Sequence, residues 1–218
     1  MSKDKIILDL CGGTGAWSKP YADAGYDVIN VTLPMFDIMK TEITGEYVHF
    51  HREPPRHPLP IKLENVYGIL AAPPCTMFSK ARTTAKTPRD FRSGMATVIQ
   101  CLGIIWECRY RKKLKFWALE NPNGLLRQFL GTPPLTFQPY DFGDPFSKST
   151  DIWGYFKMPK KNRLKFDRSQ YSLFTFKKYR KRGMRCNFPG LTSIGKKGDP
   201  RRSETFPGFA NAFFEANR

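Results

Sequence analysis

Cys75 is the residue whose type and position point most clearly to chemistry. It follows Pro73 and Pro74 at the end of an apolar run that is typical of a buried strand. Proline fixes the backbone φ angle, so we expect the thiol to be held rigidly at a sheet edge. The nearby charges of Lys80 and Arg82 should favour the nucleophilic thiolate. The position is equally consistent with a buried thiol that only packs.

Glu120 offers a second reactive group. It follows another apolar run, residues 116–119, and precedes Asn121 and Pro122. A carboxyl group in a partly apolar setting can have a raised pKa and donate a proton, and Asn121 could orient it or the substrate. The segment 120–124 is equally typical of a turn that merely ends a strand.

A glycine-rich turn, Cys-Gly-Gly-Thr-Gly at residues 11–15, follows the first apolar run. Such a turn lets a cofactor approach the backbone, and the helix that follows offers free N–H groups. Trp17 stands where the dinucleotide fingerprint GxGxxG has its last glycine, so a pyrophosphate ligand is not favoured. An ordinary tight turn is the alternative.

Alternating strands and helices are predicted around these residues. Strands are expected at residues 5–10, 27–32, 66–72 and 116–119, and helices at residues 17–24, 89–112 and 206–218. This order predicts an α/β fold with a parallel sheet, whose carboxyl edge would bind the ligands. Residues 53–60, rich in proline, are expected to form a loop, and the last helix is expected to pack back onto the sheet.

The net charge of +17 is concentrated in one segment. Residues 157–202 hold sixteen Lys or Arg against two acidic residues, Asp167 and Asp199. A polyanion is the natural partner of such a segment, and phosphate neutralisation would make its affinity depend steeply on salt. A merely solvated basic surface is the other interpretation.

The remaining composition narrows the class of protein. With 40% hydrophobic residues, 218 residues suffice for one core with a small appended lobe. Five cysteines without CxxC spacing favour neither a disulfide framework nor a zinc site. His49, His51 and His57 are expected in a solvated loop rather than at a metal. No signal peptide or membrane span is recognised, so we expect a cytoplasmic protein.

Three motifs in combination resemble the DNA cytosine-5 methyltransferase family. Residues 9–15, 74–79 and 120–122 are similar to its cofactor loop, nucleophile motif and glutamate motif, in the same order. The resemblance continues through residues 140–145 and 206–211, so it spans most of the chain. The compact size is most similar to phage or prophage members.

The resemblance implies a fold and an activity. Residues 1–154 would form a Rossmann-like S-adenosylmethionine-dependent methyltransferase sheet, residues 155–202 a small basic target-recognition insertion, and residues 203–218 a helix returning to the catalytic domain. The expected reaction transfers a methyl group from S-adenosylmethionine to carbon 5 of a cytosine flipped out of double-stranded DNA. The Cys75 thiolate would add to ring carbon 6 while Glu120 engages ring nitrogen 3, and loss of the carbon-5 proton would release the thiol.

The resemblance also assigns site residues. The catalytic set is Cys75, Glu120, Asn121, Lys148 and Arg82. The cofactor-binding set is Asp9, Leu10, Cys11, Gly12, Gly13, Thr14, Gly15, Trp17, Asp37, Ile38, Pro73 and Asn211. No metal is implied, and we expect a monomer.

The chain departs from the family in two places. Where many members carry Gln-x-Arg-x-Arg, residues 146–150 retain a positive charge only at Lys148, with Thr150 in place of the second arginine. Arg82 could substitute for that arginine. No acidic residue directly follows the second strand, and Asp37 with Ile38 is similar to the element that flanks the adenine.

The small recognition region leaves alternatives open. We expect residues 157–202 to grip phosphates and to read at most a short sequence. An RNA cytosine-5 methyltransferase, a catalytically silent DNA-binding relative, and an enzyme that transfers a group other than methyl are the other hypotheses.

Overall fold

The structure, a computed structural model, describes residues 5–52, 56–80, 82, 85–111, 113–163 and 204–218. The strands are β1 (Ile6–Leu10), β2 (Asp27–Val31), β3 (Glu42–Thr44), β4 (Tyr47–Arg52), β5 (Arg56–Lys62), β6 (Val66–Ala71), β7 (Phe116–Pro122), β8 (Leu135–Phe137) and β9 (Thr150–Tyr155). The helices are α1 (Lys19–Asp23), α2 (Phe91–Tyr110), α3 (Arg127–Leu130) and α4 (Pro207–Asn217). The predicted alternation of strands and helices is confirmed.

A central sheet of six described strands organises the molecule, in the order β2-β1-β6-β7-β9-β8. The first four strands are parallel, whereas β9 runs antiparallel to both β7 and β8. The sheet is therefore mixed rather than wholly parallel. This α/β architecture is compatible with a Rossmann-like fold.

The register aligns the ends of the parallel strands. Leu10 of β1 lies opposite Val31 of β2 and Ala71 of β6, and Ala71 lies opposite Leu119 of β7. The segments that follow β1 and β6 consequently leave the sheet at one edge, beside the end of β7. This edge carries the glycine-rich turn, Cys75 and Glu120, as predicted for the carboxyl ends of parallel strands.

The two faces of the sheet are both covered, because successive residues of a strand point to opposite sides. Leu8 belongs to a core shared with α2, while its neighbour Ile7 belongs to a core shared with α4. On the α4 side, Phe213 packs against Phe116 with ring centroids 5.8 Å apart. The prediction that the last helix packs back onto the sheet is confirmed.

The structure also contains a second sheet, which was not predicted from the sequence. Strands β3, β4 and β5 form an antiparallel sheet between β2 and β6, so residues 56–60 are not the loop that their prolines suggested. Strand β5 lies at the edge of that sheet, where a proline without an N–H group is tolerated. The three histidines lie on β4 and β5 rather than in a solvated loop.

Strand β7 is also longer than predicted. Its residues Glu120, Asn121 and Pro122 pair with Ile152, Asp151 and Thr150 of β9. The segment was expected to end the strand, and it continues because an antiparallel neighbour supplies its hydrogen-bond partners. Glu120 therefore projects from a strand rather than from a turn.

Most of the predicted basic region lies outside the described residues. Only residues 155–163 of it are described, and Lys161 and Arg163 there form ion pairs with Asp141, at 3.6 Å and 3.2 Å. Within the described ranges, no helix combines the length and apolar character needed to cross a bilayer.

Candidate active site

The glycine-rich turn is built by left-handed backbone conformations. Cys11, Gly13 and Gly15 have φ angles of 58°, 56° and 75°. Glycine adopts such angles without strain, which explains the last two positions. The turn is closed by a bond from the Gly15 N–H to the Gly12 carbonyl, at 2.9 Å, and the Cys11 N–H donates to the Val31 carbonyl at 2.8 Å.

Asp9 lies within β1, just before this turn, and is fully buried. Burial raises its pKa to about 6, although a bond from the Ser18 hydroxyl to Oδ2, at 2.5 Å, opposes the shift. Its other oxygen, Oδ1, is buried and has no partner within the described chain. A Cβ atom at Gly12 would collide with this carboxylate, so glycine is required there for lack of space.

Asn30, near the end of β2, supports the turn from the next strand. Its amide donates to the Gly13 carbonyl at 3.1 Å, while its Oδ1 is buried without a described partner. A hydrogen bond with the Cys101 thiol lowers the pKa of the Cys11 thiol, while burial and the charges of Asp9 and Asp37 oppose that shift. Asp37 also caps a short 3₁₀ turn by accepting from the Met39 N–H at 3.0 Å.

Four other residues expected to bind the cofactor differ in their exposure. Leu10 and Ile38 are buried and Thr14 is exposed, next to the residues described above. Asn211 is exposed on α4.

Trp17, one of the expected cofactor residues, is buried against α4. It is only 2% exposed and packs on Phe209 and Phe213 of α4, with ring centroids 5.9 Å and 5.5 Å apart. This large aromatic ring therefore lies in the apolar core, because the facing surface of α4 is itself aromatic. Its role in the structure is to hold the start of α1 against α4.

Residues 73–80, which we name the nucleophile loop, are held by main-chain bonds. The Cys75 carbonyl accepts from the N–H groups of Phe78 and Ser79, at 2.9 Å and 2.8 Å. The Phe78 carbonyl in turn accepts from the Leu125 N–H, at 2.8 Å. Gly124 lies so close to Phe78 that a Cβ atom there would strike its carbonyl oxygen. These contacts hold the loop against the segment that follows β7.

The thiol of Cys75 is half-buried and its pKa is raised. Burial is the main cause and the Glu120 charge adds to it, while the charge of Lys148 acts in the opposite direction. The expectation that Lys80 and Arg82 would favour the thiolate is therefore wrong. Lys148, from the segment before β9, is the cation that lowers the pKa of this thiol.

Lys148 also lies beside Glu120. Its carboxylate oxygen Oε1 lies 3.8 Å from Nζ of Lys148, and 12% of its side chain is exposed. Burial raises its pKa, the charge of Lys148 lowers it, and the charge of Asp151 raises it further. Burial therefore favours the protonated form of the Glu120 carboxyl group, which is the form that can donate a hydrogen bond.

Asn121 joins the two motifs. It is fully buried, and its amide donates to the Pro73 carbonyl at 2.9 Å. The bond spans from β7 to the first residue of the nucleophile loop, so Asn121 holds this loop, whereas the sequence suggested that it orients Glu120 or the substrate. Pro73 itself is buried, with its carbonyl held by that amide.

The guanidinium of Arg82 is engaged within its own segment. It donates to Sδ of Met77 and to main-chain and side-chain oxygens of Thr87, the latter at 2.7 Å. Lys80 binds Oδ1 of Asn123 at 3.2 Å. The structure thus brings Lys148, rather than Arg82, to the pair formed by Cys75 and Glu120.

An ion pair on a buried carboxylate lies beside this arrangement and was not predicted from the sequence. Asp151 of β9 is fully buried and accepts two bonds from Arg127 of α3, at 2.6 Å and 2.5 Å. Thr136 of β8 donates to the same carboxylate at 2.8 Å. The ion pair therefore ties α3 and β8 to β9, at the residue that pairs with Asn121 of β7.

A scan against models of known protein families found no match for this chain, and a search of the curated proteins found none either. The functional assignment therefore depends on the geometry of the site.

Several residues that build the site were difficult to recognise from the sequence. Asn30 stands near the end of a predicted strand, where a polar residue is a reasonable candidate. Ser18 could have been recognised as a residue that precedes a helix. Arg127 and Asp151 meet only through the pairing of β9, which the order of residues does not reveal. No described group of three or more His, Cys, Asp or Glu side chains is arranged to hold a metal.

Proposed function

We propose that the protein transfers a methyl group from S-adenosylmethionine to carbon 5 of cytosine in DNA, through a covalent adduct on Cys75. The observation that carries the proposal is the meeting of a thiol, a carboxyl group and an ammonium group, those of Cys75, Glu120 and Lys148, at the sheet edge that bears the glycine-rich turn. For addition to a pyrimidine ring, the thiol can supply the nucleophile and the carboxyl group can supply the proton donor.

The raised pKa of Glu120 suits a proton donor to the ring nitrogen. Protonation also removes the carboxylate charge that raises the pKa of Cys75. A pyrimidine that binds to the protonated form of Glu120 would therefore meet a thiol that ionises more readily. Cys75 then forms the bond to carbon 6, the electron pair moves toward carbon 5, and the Glu120 proton stabilises ring nitrogen 3.

The cofactor residues fit the proposed group. S-adenosylmethionine carries a sulfonium and an ammonium charge together with hydroxyl donors, and the buried oxygens Oδ1 of Asp9 and of Asn30 have no described partner. Gly12, Gly13 and Gly15 leave the backbone accessible beside them. When bound, the cofactor supplies an electrophilic methyl group, and these residues would hold it next to the nucleophile loop.

A polyanionic substrate agrees with the distribution of charge. Lys80, Lys86 and Arg92 are exposed around the nucleophile loop and the start of α2. Residues 157–202 carry sixteen more basic side chains. Duplex DNA offers phosphates to both sets, and extrusion of one cytosine costs a few kcal/mol.

Trapping of the covalent adduct tests the proposal. The protein is incubated with S-adenosylmethionine and duplex DNA that contains 5-fluorocytosine, whose fluorine cannot leave as a proton does. We expect a protein–DNA adduct that survives denaturing electrophoresis and maps to Cys75. The matched variants are Cys75→Ala, which should form none, and Cys108→Ala, which changes a cysteine buried on α2 and should retain it. Absence of the adduct in the wild-type protein, or its persistence in Cys75→Ala, contradicts the mechanism.

The substrate is tested separately. Methyl transfer is compared between duplex DNA and structured RNA of the same sequence, and the modified cytosines are mapped. We expect transfer to DNA within a short recognition sequence. Preference for RNA would replace the DNA assignment, and a recognised site of six or more base pairs would contradict the expectation of short readout.

A further inference from the structure

We propose that Arg89 is a positioning residue that fixes the nucleophile loop, so that the Cys75 thiol meets its substrate in one place. Because the inference concerns the positioning of the proposed nucleophile, it rests on the proposed function. Arg89 lies outside the three motifs, immediately before α2, and acts on main-chain atoms rather than on the thiol.

The geometry is that of a fork holding two carbonyl groups. Nη1 of Arg89 donates to the Met77 carbonyl at 2.6 Å, and Nη2 donates to the Ser79 carbonyl at 2.9 Å. A guanidinium group presents its donors in a fixed plane, so it can bridge two carbonyls, whereas a lysine ammonium is a point donor. Both bonds are partly buried.

The backbone that carries Arg89 is itself held in place. Asp90 caps α2 by accepting from the Ser93 N–H at 2.9 Å, which fixes the backbone at the start of the helix. Arg89 is therefore attached to a helix of twenty residues that packs on the central sheet. The two bonds tie the nucleophile loop to that helix.

The other restraints on the loop hold different atoms. Asn121 holds the Pro73 carbonyl before Cys75, and Leu125 holds the Phe78 carbonyl after it. The charge of Arg89 is not among the causes that shift the pKa of Cys75. Its effect on the thiol therefore comes through the backbone position of the loop.

The test uses the full-length protein and two measurements. The first is the rate of alkylation of Cys75 by iodoacetamide, followed by peptide mass spectrometry, which needs neither DNA nor cofactor. The second is the rate of adduct formation with 5-fluorocytosine DNA. We expect Arg89→Ala to alkylate at Cys75 several-fold faster and to form the adduct roughly 10²-fold more slowly, because small misplacements of reacting groups cost that much.

Chemical rescue separates positioning from charge. Added guanidinium at millimolar concentration should restore much of the adduct rate of Arg89→Ala, and Arg89→Lys, which keeps the charge, should stay impaired. The matched control is Arg109→Ala, which removes an exposed positive charge from the other end of the same helix and should leave Cys75 alkylation unchanged. Thermal unfolding verifies that each variant is folded.

The outcomes separate this inference from the proposed function. Unchanged alkylation and adduct rates in Arg89→Ala overturn the positioning role, as does full activity in Arg89→Lys without guanidinium. If the wild-type protein forms no adduct, the proposed function fails, and the alkylation rate alone then decides whether Arg89 fixes the loop.

Discussion

The ammonium nitrogen of Lys148 lies 3.8 Å from a carboxylate oxygen of Glu120, and the two side chains act in opposite directions on the thiol of Cys75. The carboxylate raises the pKa of the thiol and the ammonium lowers it. The ionisation of the Cys75 thiol therefore responds to the charge state of both neighbours, in addition to burial, which is the largest cause of its raised pKa.

Substitutions that neutralise Glu120 and Lys148 are expected to shift the pKa of Cys75 in opposite directions. Glu120→Gln removes the negative charge, so the pKa of Cys75 should fall and its alkylation at a fixed alkaline pH should become faster. Lys148→Gln removes the positive charge, so the pKa should rise and alkylation should slow. The measurement is the pH profile of iodoacetamide labelling at Cys75, with Lys80→Gln as the control for loss of a nearby exposed charge. Shifts in the same direction would contradict the arrangement.

Methyl transfer should respond differently from alkylation in the same variants. Glu120→Gln retains a more reactive thiol but lacks the proton donor, so we expect transfer to fall by roughly 10² to 10⁴-fold. Initial rates with labelled S-adenosylmethionine and duplex DNA measure this loss. Activity near the wild-type level in Glu120→Gln would remove Glu120 from the catalytic set.

Asn121 is expected to contribute to the stability of the fold. Asn121→Ala leaves the Pro73 carbonyl buried without its donor, which costs roughly 1 to 3 kcal/mol of the free energy of unfolding. Asn121→Asp places a carboxylate oxygen against that carbonyl and should be worse. Urea unfolding measures both, and Asn123→Ala, at a half-buried neighbouring position, is the control with the smaller expected effect.

Much of the central sheet and the meeting of Cys75 with Glu120 followed from the sequence. The runs that became β1 and β6 are apolar and end in Gly or Pro signals, so local chemistry predicts both the strands and their ends. The parallel register then brings Leu10, Ala71 and Leu119 to one level without further information.

Other features depend on contacts between distant segments. Strand β5 contains Pro58 and Pro60, and only its place at a sheet edge makes it a strand. Strand β7 extends past Leu119 because β9 pairs with it. The placement of Lys148 beside Glu120 depends on the same pairing, so it was implied by the family resemblance and not by local pattern.

The pair formed by Arg127 and Asp151 joins a partly exposed guanidinium to a fully buried carboxylate. Arg127→Met leaves this carboxylate with the Thr136 hydroxyl as its remaining side-chain donor, and we expect a loss of about 1 to 3 kcal/mol of unfolding free energy, because 35% of the Arg127 side chain is exposed. The double variant Arg127→Met with Asp151→Asn should lose less than the single one, because no buried charge remains. Urea unfolding of the full cycle measures the difference.

An exposed pair on α1 is the control for that cycle. Lys19 and Asp23 lie 2.8 Å apart with 70% and 61% of their side chains exposed. Their neutralisation should change stability by less than about 1 kcal/mol. Equal losses in the two cycles would show that burial of Asp151 does not matter.

Asp9 is expected to make stability depend on pH in an unusual direction. Its folded-state pKa of about 6 lies above the ordinary value of 3.8, so the folded state binds the proton more tightly than the unfolded state. Stability from this group is therefore full below the ordinary value and is lost as pH rises through about 6. Relative to the wild-type protein, Asp9→Asn should gain about 1 to 3 kcal/mol across that window.

Thermal unfolding across the pH range measures that gain. Asp27→Asn, which alters an exposed aspartate at the start of β2, corrects for the loss of one negative charge. The same Asp9→Asn variant should bind S-adenosylmethionine more weakly, since a charged acceptor has become a neutral amide. A pH-independent difference from the wild-type protein would exclude Asp9 as the titrating group.

Gly12 and Gly13 should be sensitive to alanine for different reasons. At Gly13 the φ angle is 56° and nothing lies within 4 Å of an added Cβ atom, so only backbone strain of about 1 to 2 kcal/mol is expected. At Gly12 the added atom meets the buried Asp9 carboxylate, which must move away from its bond with Ser18. Because the bond from Ser18 lowers the pKa of Asp9, its loss should raise that pKa further, so Gly12→Ala should enlarge the Asp9-dependent change of stability with pH, whereas Gly13→Ala should leave it unchanged. Urea unfolding at pH values on either side of 6 distinguishes the two, and an unchanged pH dependence in Gly12→Ala would show that the turn relaxes without disturbing Asp9.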